Sequence, residues 1–478
     1  MIRSAWIFSR WMALIYLVAF WSLGVQVLGL IGSHGILPVG DFLKFIADQE
    51  GNNRFWSAPT LCWFNHSDAF LLFLCGGGVV FSILLLAGVM PGVMAFLLWI
   101  FYLSLTIAGQ EFLGFQWDNL LLESGLLLIF LFPRSFRLDC KPSVRPSLII
   151  LWLLRWLLFR LMFESGMVKL LSGDTYWHHL TALTFHYWTQ PLPNVISWYA
   201  NQLPLWFQQF SCALLFVVEL TMPFLIFCGR GPRLIAFFGI VTLQLLIILT
   251  GNYCFFNLLT IGLCLTLLED EHYKFLQFSL PLVGRVGEGG IFYKILTTLV
   301  GAFIFIISLG LIVNSLVRIP LPKPIERMIV AVSPLRSINN YGLFAVMTTE
   351  RNEIILEGSD DGEHWKPYEF RFKPGDVNQA PRWAVPYQPR LDWQMWFASL
   401  GTWRENEWLL ALMERLLQGE PVVTHLLKFN PFTDHPPHYI QATFWAYHFT
   451  DFKTKGGHGP WWERKILGLY CPTLSLKQ

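Results

Sequence analysis

Charge is the scarcest property of this chain, since only 14% of its 478 residues are Asp, Glu, Lys or Arg. Soluble globular domains carry roughly 25% charged residues, so this chain has too little polar surface to be covered by water alone. At the same time 54% of the residues are hydrophobic, and the mean hydropathy is +0.48. The composition therefore excludes an ordinary soluble protein and indicates that a lipid bilayer covers much of the surface.

Other absences narrow the possible functions. The net charge of +2 is small and no run of Lys or Arg occurs, which argues against nucleic acid as a partner. The cysteines form no CxxC pair and the histidines no HExxH motif, so the sequence predicts neither a metal site nor a cofactor. Cys62 and Cys471 lie in polar segments, and a disulfide between them in an oxidising compartment is left open.

Apolar windows of the length needed to cross a bilayer, about 20 residues, recur along the first two thirds of the chain. They are Trp11–Gly32, Asp68–Gly88, Met90–Ala108, Asn119–Phe132, Leu148–Leu171, Leu205–Phe227, Leu234–Thr250, Tyr253–Leu268 and Tyr293–Val317. The first window is too long for a signal peptide and no small-residue cleavage site follows it. The expected fold is an α-helical polytopic membrane protein with about nine transmembrane helices.

Basic residues are distributed unequally between alternate loops, which predicts the orientation in the membrane. If the N-terminus is cytoplasmic, most of the basic loop residues fall on the cytoplasmic side. These residues are Arg134, Arg137, Lys141, Arg145, Arg230, Arg233, Lys274 and Arg285. The opposite loops hold only Lys44 and Arg54, and the long segment 172–204 has neither Lys nor Arg. With nine spans, the C-terminus is then exoplasmic.

Composition changes after Arg318, where proline and charge become frequent and no further span is possible. We therefore expect a transmembrane helical domain over residues 1–318 and a soluble, mixed α/β exoplasmic domain over residues 319–478. An Asp361-Gly362 turn predicts a small hairpin, since such turns need a positive φ. The expected elements are strands at Tyr341–Met347, Glu353–Ser359 and Trp365–Phe372, and a helix opened by a Thr402/Glu405 capping box that stops near Gly419.

The fifth predicted span carries four ionisable side chains, which are costly in a bilayer and need a partner or a function. They are Arg155, Arg160, Glu164 and Lys169. At about 100° per residue, Arg160 and Glu164 lie one turn apart on one face, which predicts a pair within the helix. Arg155 and Lys169 share a different face.

Depth in the membrane suggests partners on the neighbouring spans. Glu219 of the sixth span lies near the level of Arg155, which predicts a buried structural ion pair. Glu123 of the fourth span is close in height to Glu164 and Lys169. Lys169 has two interpretations: its ammonium group snorkels to the membrane interface, or it is desolvated and acts as a base in a catalytic site with Glu164 and Glu123.

The segment 172–204 follows Lys169 directly and is rich in aromatic and histidine residues. Trp and Tyr prefer the membrane interface, so we expect this segment to lie there and to cover the site of Lys169. The candidate ligand-binding residues are Arg160, Trp177, His178, His179 and His186.

Several long motifs give the chain a family resemblance. They are His34–Pro38, Phe115–Gly125, Phe163–Leu170, Ser172–His179, Arg390–Phe397 and Phe429–Phe432. Together they resemble the lipase maturation factors over nearly the whole chain. The resemblance implies a membrane chaperone that helps secreted lipases fold and assemble in the endoplasmic reticulum, with its C-terminal domain in the lumen. Membrane lipids are expected as further partners, and an enzymatic role is the alternative left open. The C-terminal Ser475–Gln478 is not a KDEL-type signal, so a bacterial relative in the inner membrane is left open.

A shorter motif, Gly166–Leu170 with Trp177 downstream, is similar to a Gly-x-x-Lys-Leu…Trp stretch in the membrane domain of vitamin K-dependent carboxylases. That likeness implies a catalytic base at Lys169. The alternative function is therefore a membrane enzyme, or a protein that binds a lipid or quinone-type ligand at a polar site around Lys169.

The predicted topology has a direct test. A reporter that is active only in the cytoplasm, fused after Gln478, should be silent, because an odd number of spans places the C-terminus outside. The same reporter fused within the Arg230 loop should be active. A strong signal from the C-terminal fusion would contradict the odd span count.

Overall fold

The structure, a computed structural model, describes residues 1–132, 145–273 and 290–476. Each of the nine apolar windows contains a helix in these ranges. The helices are α1 (Ile2–Gly24), α2 (Asp68–Ala87), α3 (Pro91–Ala108), α4 (Gln116–Ile129), α5 (Leu148–Leu171), α6 (Leu205–Leu220), α7 (Arg230–Thr250), α8 (Phe256–Leu265) and α9 (Ile291–Val317). The basic residues at positions 134, 137, 141, 274 and 285, used above for orientation, lie outside the described residues.

Six of the helices in the described ranges are long and apolar enough to cross a membrane: α1, α2, α3, α6 with the turn Met222–Leu225, α7 and α9. The remaining three helices are either too short or too rich in charged side chains to meet this criterion. Helices α4 and α8 have only 14 and 10 residues, and α5 carries the four ionisable side chains. The chain is a helical membrane protein, and the count of nine spans stays a prediction.

The first window was placed too far along the chain. Helix α1 begins at Ile2, and the residues after Gly24 form a separate short helix, Val27–Ile31. The reason lies far away in sequence: Asp270 accepts hydrogen bonds from the N–H groups of Ile2 and Arg3 and pairs with the Met1 ammonium group. This cap satisfies donors that a helix start leaves free.

The close packing of α2 against α1 explains why residue 78 is a glycine. Gly78 of α2 lies against the ring of Phe20 on α1, so closely that a Cβ atom at residue 78 would stand 2.3 Å from the ring. Helix α5 lies at the centre of the second half of the bundle, against α6, α8 and α9.

The C-terminal region contains a four-stranded antiparallel sheet in the described part of the chain, in the order β2-β1-β3-β4. The strands are β1 (Arg351–Ser359), β2 (Lys366–Pro367), β3 (Tyr439–Phe449) and β4 (Trp462–Ser475). In the register, Ile355 is opposite Thr443, and Thr443 is opposite Leu469. Helices α10 (Lys323–Val332), α11 (Arg390–Ser399) and α12 (Glu407–Leu417) complete the region.

The predicted strand Glu353–Ser359 is confirmed, and the Asp-Gly turn follows it with Gly362 at φ 79°. The capping box of Thr402 and Glu405 is also present, but it opens the short 3₁₀ turn Trp403–Glu405, and the expected helix begins after it at Glu407. The other two strand predictions were wrong, one in its extent and one altogether. Only Lys366–Pro367 of the third predicted strand pairs with β1.

Residues 341–347 were predicted as a strand but form none. Their backbone N–H groups are bound by side chains of the membrane region instead of by a neighbouring strand. Tyr341 N donates to Glu164, Gly342 N to Gln116 and Met347 N to Asp174.

A buried ion pair joins the C-terminal region to the membrane helices. Arg390 of α11 donates to both carboxylate oxygens of Asp118 on α4, at 2.9 and 3.0 Å, and to the carbonyl oxygen of Phe112 at 2.8 Å. The hydroxyl of Tyr102 on α3 also donates to Asp118. Both charged side chains are fully buried. The hydrophobic core is continuous across this junction, while the domain boundary at residue 318 stays a prediction.

Breaking this pair should destabilise the protein strongly. Asp118→Leu or Arg390→Met leaves the partner charged and buried, at a cost of about 3–5 kcal/mol in the free energy of unfolding. The double variant should cost clearly less than the sum of the two single changes. Chemical unfolding of the detergent-solubilised protein measures this, and additive effects would contradict a direct pair.

Candidate functional site

A cavity of about 510 Å³ lies between α5, α6, α7 and α8. The segment 172–204 covers one side of it through residues that include Trp177, His186 and Tyr199. Leu343 and Phe344, which follow α10, close another part. Apolar side chains line most of it, with a few polar groups at fixed positions, which is the usual composition of a small-molecule site.

Lys169 and Glu219 form an ion pair in the wall of this cavity. The Lys169 Nζ donates to both oxygens of Glu219, at 2.9 and 2.8 Å, and to the carbonyl oxygen of Ser165 at 2.9 Å. The Trp177 ring lies 5.4 Å from the same nitrogen. The side chains of Lys169 and Glu219 are 5% and 8% exposed, so the ammonium group does not snorkel to solvent.

The predicted Arg155–Glu219 pair was wrong. Arg155 donates from Nε and Nη2 to the carbonyl oxygen of Thr266, at 3.1 and 2.7 Å, just beyond the end of α8. A helix C-terminus leaves carbonyl groups free and attracts cations, so this is a good site for a guanidinium group. The predicted depth of Glu219 requires α6 to begin at the level where α5 ends. Because Glu219 meets the last turn of α5, α6 extends past that turn by roughly 18 Å, at 1.5 Å per residue.

The predicted Arg160–Glu164 pair was also wrong, because both residues have partners elsewhere. Arg160 pairs with Glu123 of α4 and donates to the carbonyl oxygen of Asn339 at 3.0 Å. Glu164 instead accepts the backbone N–H of Tyr341 at 2.8 Å. The Tyr341 hydroxyl donates to Glu123 at 2.7 Å, which makes a second buried link to the C-terminal region.

The candidate catalytic residues are therefore divided between two places. Lys169 lies in the cavity, whereas Glu123 and Glu164 lie in the Arg160 cluster and do not line it. A role for Lys169 as a base stays a prediction. In the structure its Nζ lies within hydrogen-bond distance of three acceptor oxygens, two on Glu219 and one on Ser165.

Two of the predicted ligand-binding residues line the cavity with Lys169. The Trp177 Nε1 donates to the carbonyl oxygen of Phe344 at 2.9 Å, and His186 Nε2 lies 3.1 Å from the Tyr253 hydroxyl. Arg160 belongs to the other cluster. His178 and His179 are exposed on the outside, where His178 Nε2 lies 2.9 Å from the carbonyl oxygen of Leu170.

Further polar residues of the cavity were missed, among them Tyr253, Gln244 and Asn257. Tyr253 donates to Gln190 Oε1 at 3.0 Å, and Asn257 Nδ2 donates to Gln244 Oε1 at 2.7 Å. Gln244 and Asn257 are amide side chains inside apolar windows. Burying a polar group costs free energy unless it is hydrogen-bonded, so the reasoning that identified the charged residues could have identified these two as well.

The C-terminal sheet holds the covering segment in place. Arg351 of β1 donates to the carbonyl oxygens of Trp188, Gln190 and Pro191, at the end of the short helix Leu183–Thr189. Its own charge is balanced by Glu353 at 2.7 Å. This guanidinium group joins the sheet directly to the segment that closes the cavity.

The described residues show no disulfide between Cys62 and Cys471 and no group of metal ligands. Cys62 and Cys471 are both free and buried, and the Cys471 Sγ lies 3.7 Å from the Met413 Sδ. The disulfide left open above is not formed. Among the described residues, no three His, Cys, Asp or Glu side chains come together as a metal site.

The fold and the cavity define the class: a multi-pass helical membrane protein whose C-terminal region is joined to the membrane helices through buried charges. The chain belongs to the lipase maturation factor family. Residues 3–275 match the family's transmembrane domain and residues 337–472 its C-terminal domain. The resemblance drawn from the sequence motifs is confirmed.

Curated relatives match over almost the whole chain. Lipase maturation factor 2 of Xenopus tropicalis is 36% identical over 97% of this chain and 81% of its own length. The human lipase maturation factor 2 is 35% identical over 98% and 82%, and the mouse lipase maturation factor 1 is 36% identical over 98% and 86%. No solved structure matches the chain.

The revised pairing in the cavity can be measured with double-mutant cycles. Lys169→Met and Glu219→Gln should couple by about 0.5–3 kcal/mol, because the two side chains are in contact. Arg155→Met with Glu219→Gln should be additive, since Arg155 binds Thr266. Thermal unfolding in detergent gives both values; coupling of Arg155 but not of Lys169 would restore the pairing expected from depth.

Proposed function

We propose that this protein is a membrane-bound folding and maturation factor for secreted lipases that acts on the exoplasmic face. The observation that carries the proposal is the match to relatives named lipase maturation factor over 97–98% of the chain. By the same family relation, its membrane is that of the endoplasmic reticulum, or the inner membrane in a bacterium. The residues 319–478 are the exoplasmic domain.

The positions of the charged groups support this orientation. The Met1 ammonium group, Arg230 and Arg233 lie near one another, bound by Asp270 and Glu269. The C-terminal region contacts the other end of α1 instead, where Gln26 binds the backbone of Gln388 and Arg390. Basic residues favour the cytoplasmic side, so the C-terminal region then lies outside.

The outer strand of the sheet is a suitable surface for an unfolded client. Strand β4 has 14 residues and pairs with β3 on one side. Its Ile466, Leu467 and Leu469 are 54%, 51% and 58% exposed. An exposed edge strand can pair with an extended segment of another chain, and apolar side chains along it add affinity. A partly folded lipase offers such segments.

A secretion assay tests the proposal together with its client surface. In cells that lack the endogenous factor, the wild-type protein should restore the specific activity of a co-expressed secreted lipase. Leu467→Lys should reduce this rescue severalfold, because the charge opposes an apolar client segment. Leu400→Lys is the matched control, since Leu400 lies in the same region and is 50% exposed.

Two results would count against the proposal at different levels. Full lipase activity without the factor would remove the lipase as a client. Equal rescue by Leu467→Lys and Leu400→Lys, at equal expression, would leave the maturation role but exclude β4 as the client surface.

A further inference from the structure

Helix α10 follows the last span, α9, and lies across it. Gly310 of α9 faces the middle of α10, since a Cβ atom at residue 310 would stand 2.9 Å from the Cγ2 of Ile325, with Leu321 and Ile329 at 3.8 Å. Only residues 318–322 connect the two helices. The chain therefore turns back at the end of α9, and α10 crosses it at Gly310.

The length of α9 gives the level of this crossing in the membrane. Its 27 residues rise about 40 Å, whereas the hydrocarbon core is about 30 Å thick and needs about 20 residues. Its first turn contains Tyr293 and Lys294, residue types that favour the membrane surface. Counting about 20 residues from this turn puts the other boundary of the core between Gly310 and Asn314. Helix α10 therefore crosses α9 where acyl chains meet headgroups.

The sequence of α10 suits this level. Its large apolar residues, apart from Val330, occupy one stripe about 100° wide, formed by Ile325, Met328, Ile329 and Val332. Lys323, Glu326 and Arg327 lie on the opposite side. No residue of α10 is buried, and none belongs to the continuous hydrophobic core of the described chain. The protein thus leaves much of the stripe uncovered, and an amphipathic helix at the membrane surface places such a stripe in lipid.

The lipid-facing surface of α9 continues onto α10. Ile306 and Leu309 precede the crossing by one turn or less, and Val317 and Ile319 follow it; each of the four is at least 40% exposed. Apolar side chains exposed on a membrane span contact acyl chains. The same lipid that surrounds α9 therefore reaches the stripe of α10.

The loop between α1 and α2 adds aromatic side chains at the same level. The Trp56 Nε1 donates to the carbonyl oxygen of Ala331, in the last turn of α10, at 3.0 Å. Phe64 is 84% exposed and lies four residues before Asp68, where α2 begins. The 20 residues of α2 just fill the hydrocarbon core, so Phe64 lies next to its boundary. Tryptophan is enriched at this level of membrane proteins.

Three cations of this segment have no carboxylate partner in the described parts of the chain. Arg318, Lys323 and Arg327 are exposed, and none of them forms an ion pair there. Glu326 is the only acidic residue between 318 and 332, so three cations and one carboxylate give the segment a net charge of +2. At the level of the headgroups, the anions within reach are lipid phosphates.

We propose that residues 318–332, together with Trp56 and Phe64, bind phospholipids of the membrane surface that faces the C-terminal region. The apolar stripe of α10 contacts the acyl chains, and the three cations contact the phosphate groups. This surface holds the beginning of the C-terminal region against the bilayer. It does not depend on the lipase-maturation proposal, because it follows from the length of α9 and the contacts of α10.

Nitroxide labels on two sides of α10 test the proposal in the full-length protein, reconstituted into phosphatidylcholine vesicles. Met328 and Val330 lie about 160° apart around the helix. The labels are attached to Met328→Cys and Val330→Cys after Cys140 and the exposed Cys228 have been replaced by serine. Power-saturation measurements should place the label at 328 deeper by roughly 10 Å, the diameter of a helix, because oxygen dissolves in lipid and a nickel complex stays in water.

Two outcomes of this experiment would overturn the proposal. Equal access of the nickel complex to both labels would show that the whole helix lies in water. Exclusion of both oxygen and nickel from the label at 328 would show that protein, rather than lipid, covers the stripe. Neither residue is buried, so both variants should fold.

The three cations are tested with phosphatidylglycerol, an anionic phospholipid, added to the full-length protein in neutral detergent. Native mass spectrometry gives the apparent affinity. The double variant Lys323→Gln/Arg327→Gln should bind at least about fivefold more weakly, the value of one cation near a lipid surface. Glu326→Gln, the control on the same helix, should bind at least as well as the wild type. Equal affinity of the double variant and the wild type would overturn the assignment of the phosphate groups to these cations.

Discussion

The structure depends on one constraint: a charge buried away from water must have its partner beside it. Some of these partners come from the opposite part of the chain. Asp118 of α4 meets Arg390 of α11, and Glu123 and Glu164 meet residues that follow α10. Leaving either member of such a pair alone costs several kcal/mol. The membrane helices and the C-terminal region therefore stabilise each other, although the composition divides the chain clearly after residue 318.

Hydropathy alone located the helices α1 to α9 among the described residues, although α1 starts ahead of its predicted window, because the bilayer favours long apolar segments. The cost of buried charge likewise identified the residues that matter in α5, including Lys169 and Arg160. Their partners could not be predicted, because pairing depends on how far one helix is displaced along its axis relative to the next. The displacement of α6 past the end of α5 brought Glu219 to Lys169 and left Arg155 to the carbonyl group of Thr266.

Contacts between distant segments of the chain likewise could not be predicted from the sequence. The composition of residues 341–347 is typical of a strand, yet their N–H groups bind Glu164, Gln116 and Asp174. Tertiary contacts override local preference here. The cavity was predicted through Lys169, Trp177 and His186, and was incomplete without Gln244 and Asn257. An amide side chain in an apolar helix is harder to identify from the sequence than a charged one, because its hydrogen bonds can be made to many different partners.

The distance along the chain between paired charges sets an order for assembly during synthesis. Lys169 and Glu219 are 50 residues apart, whereas Asp118 and Arg390 are 272 apart. At about 5–20 residues per second, Glu219 is made roughly 3–10 s after Lys169, but Arg390 follows Asp118 only after roughly 14–54 s. During that interval α4 carries an acidic group without its final partner. The ribosome thus supplies both members of the Lys169–Glu219 pair well before the contact that joins the membrane helices to the C-terminal region, and a chain truncated in between would keep the first pair and lack the second.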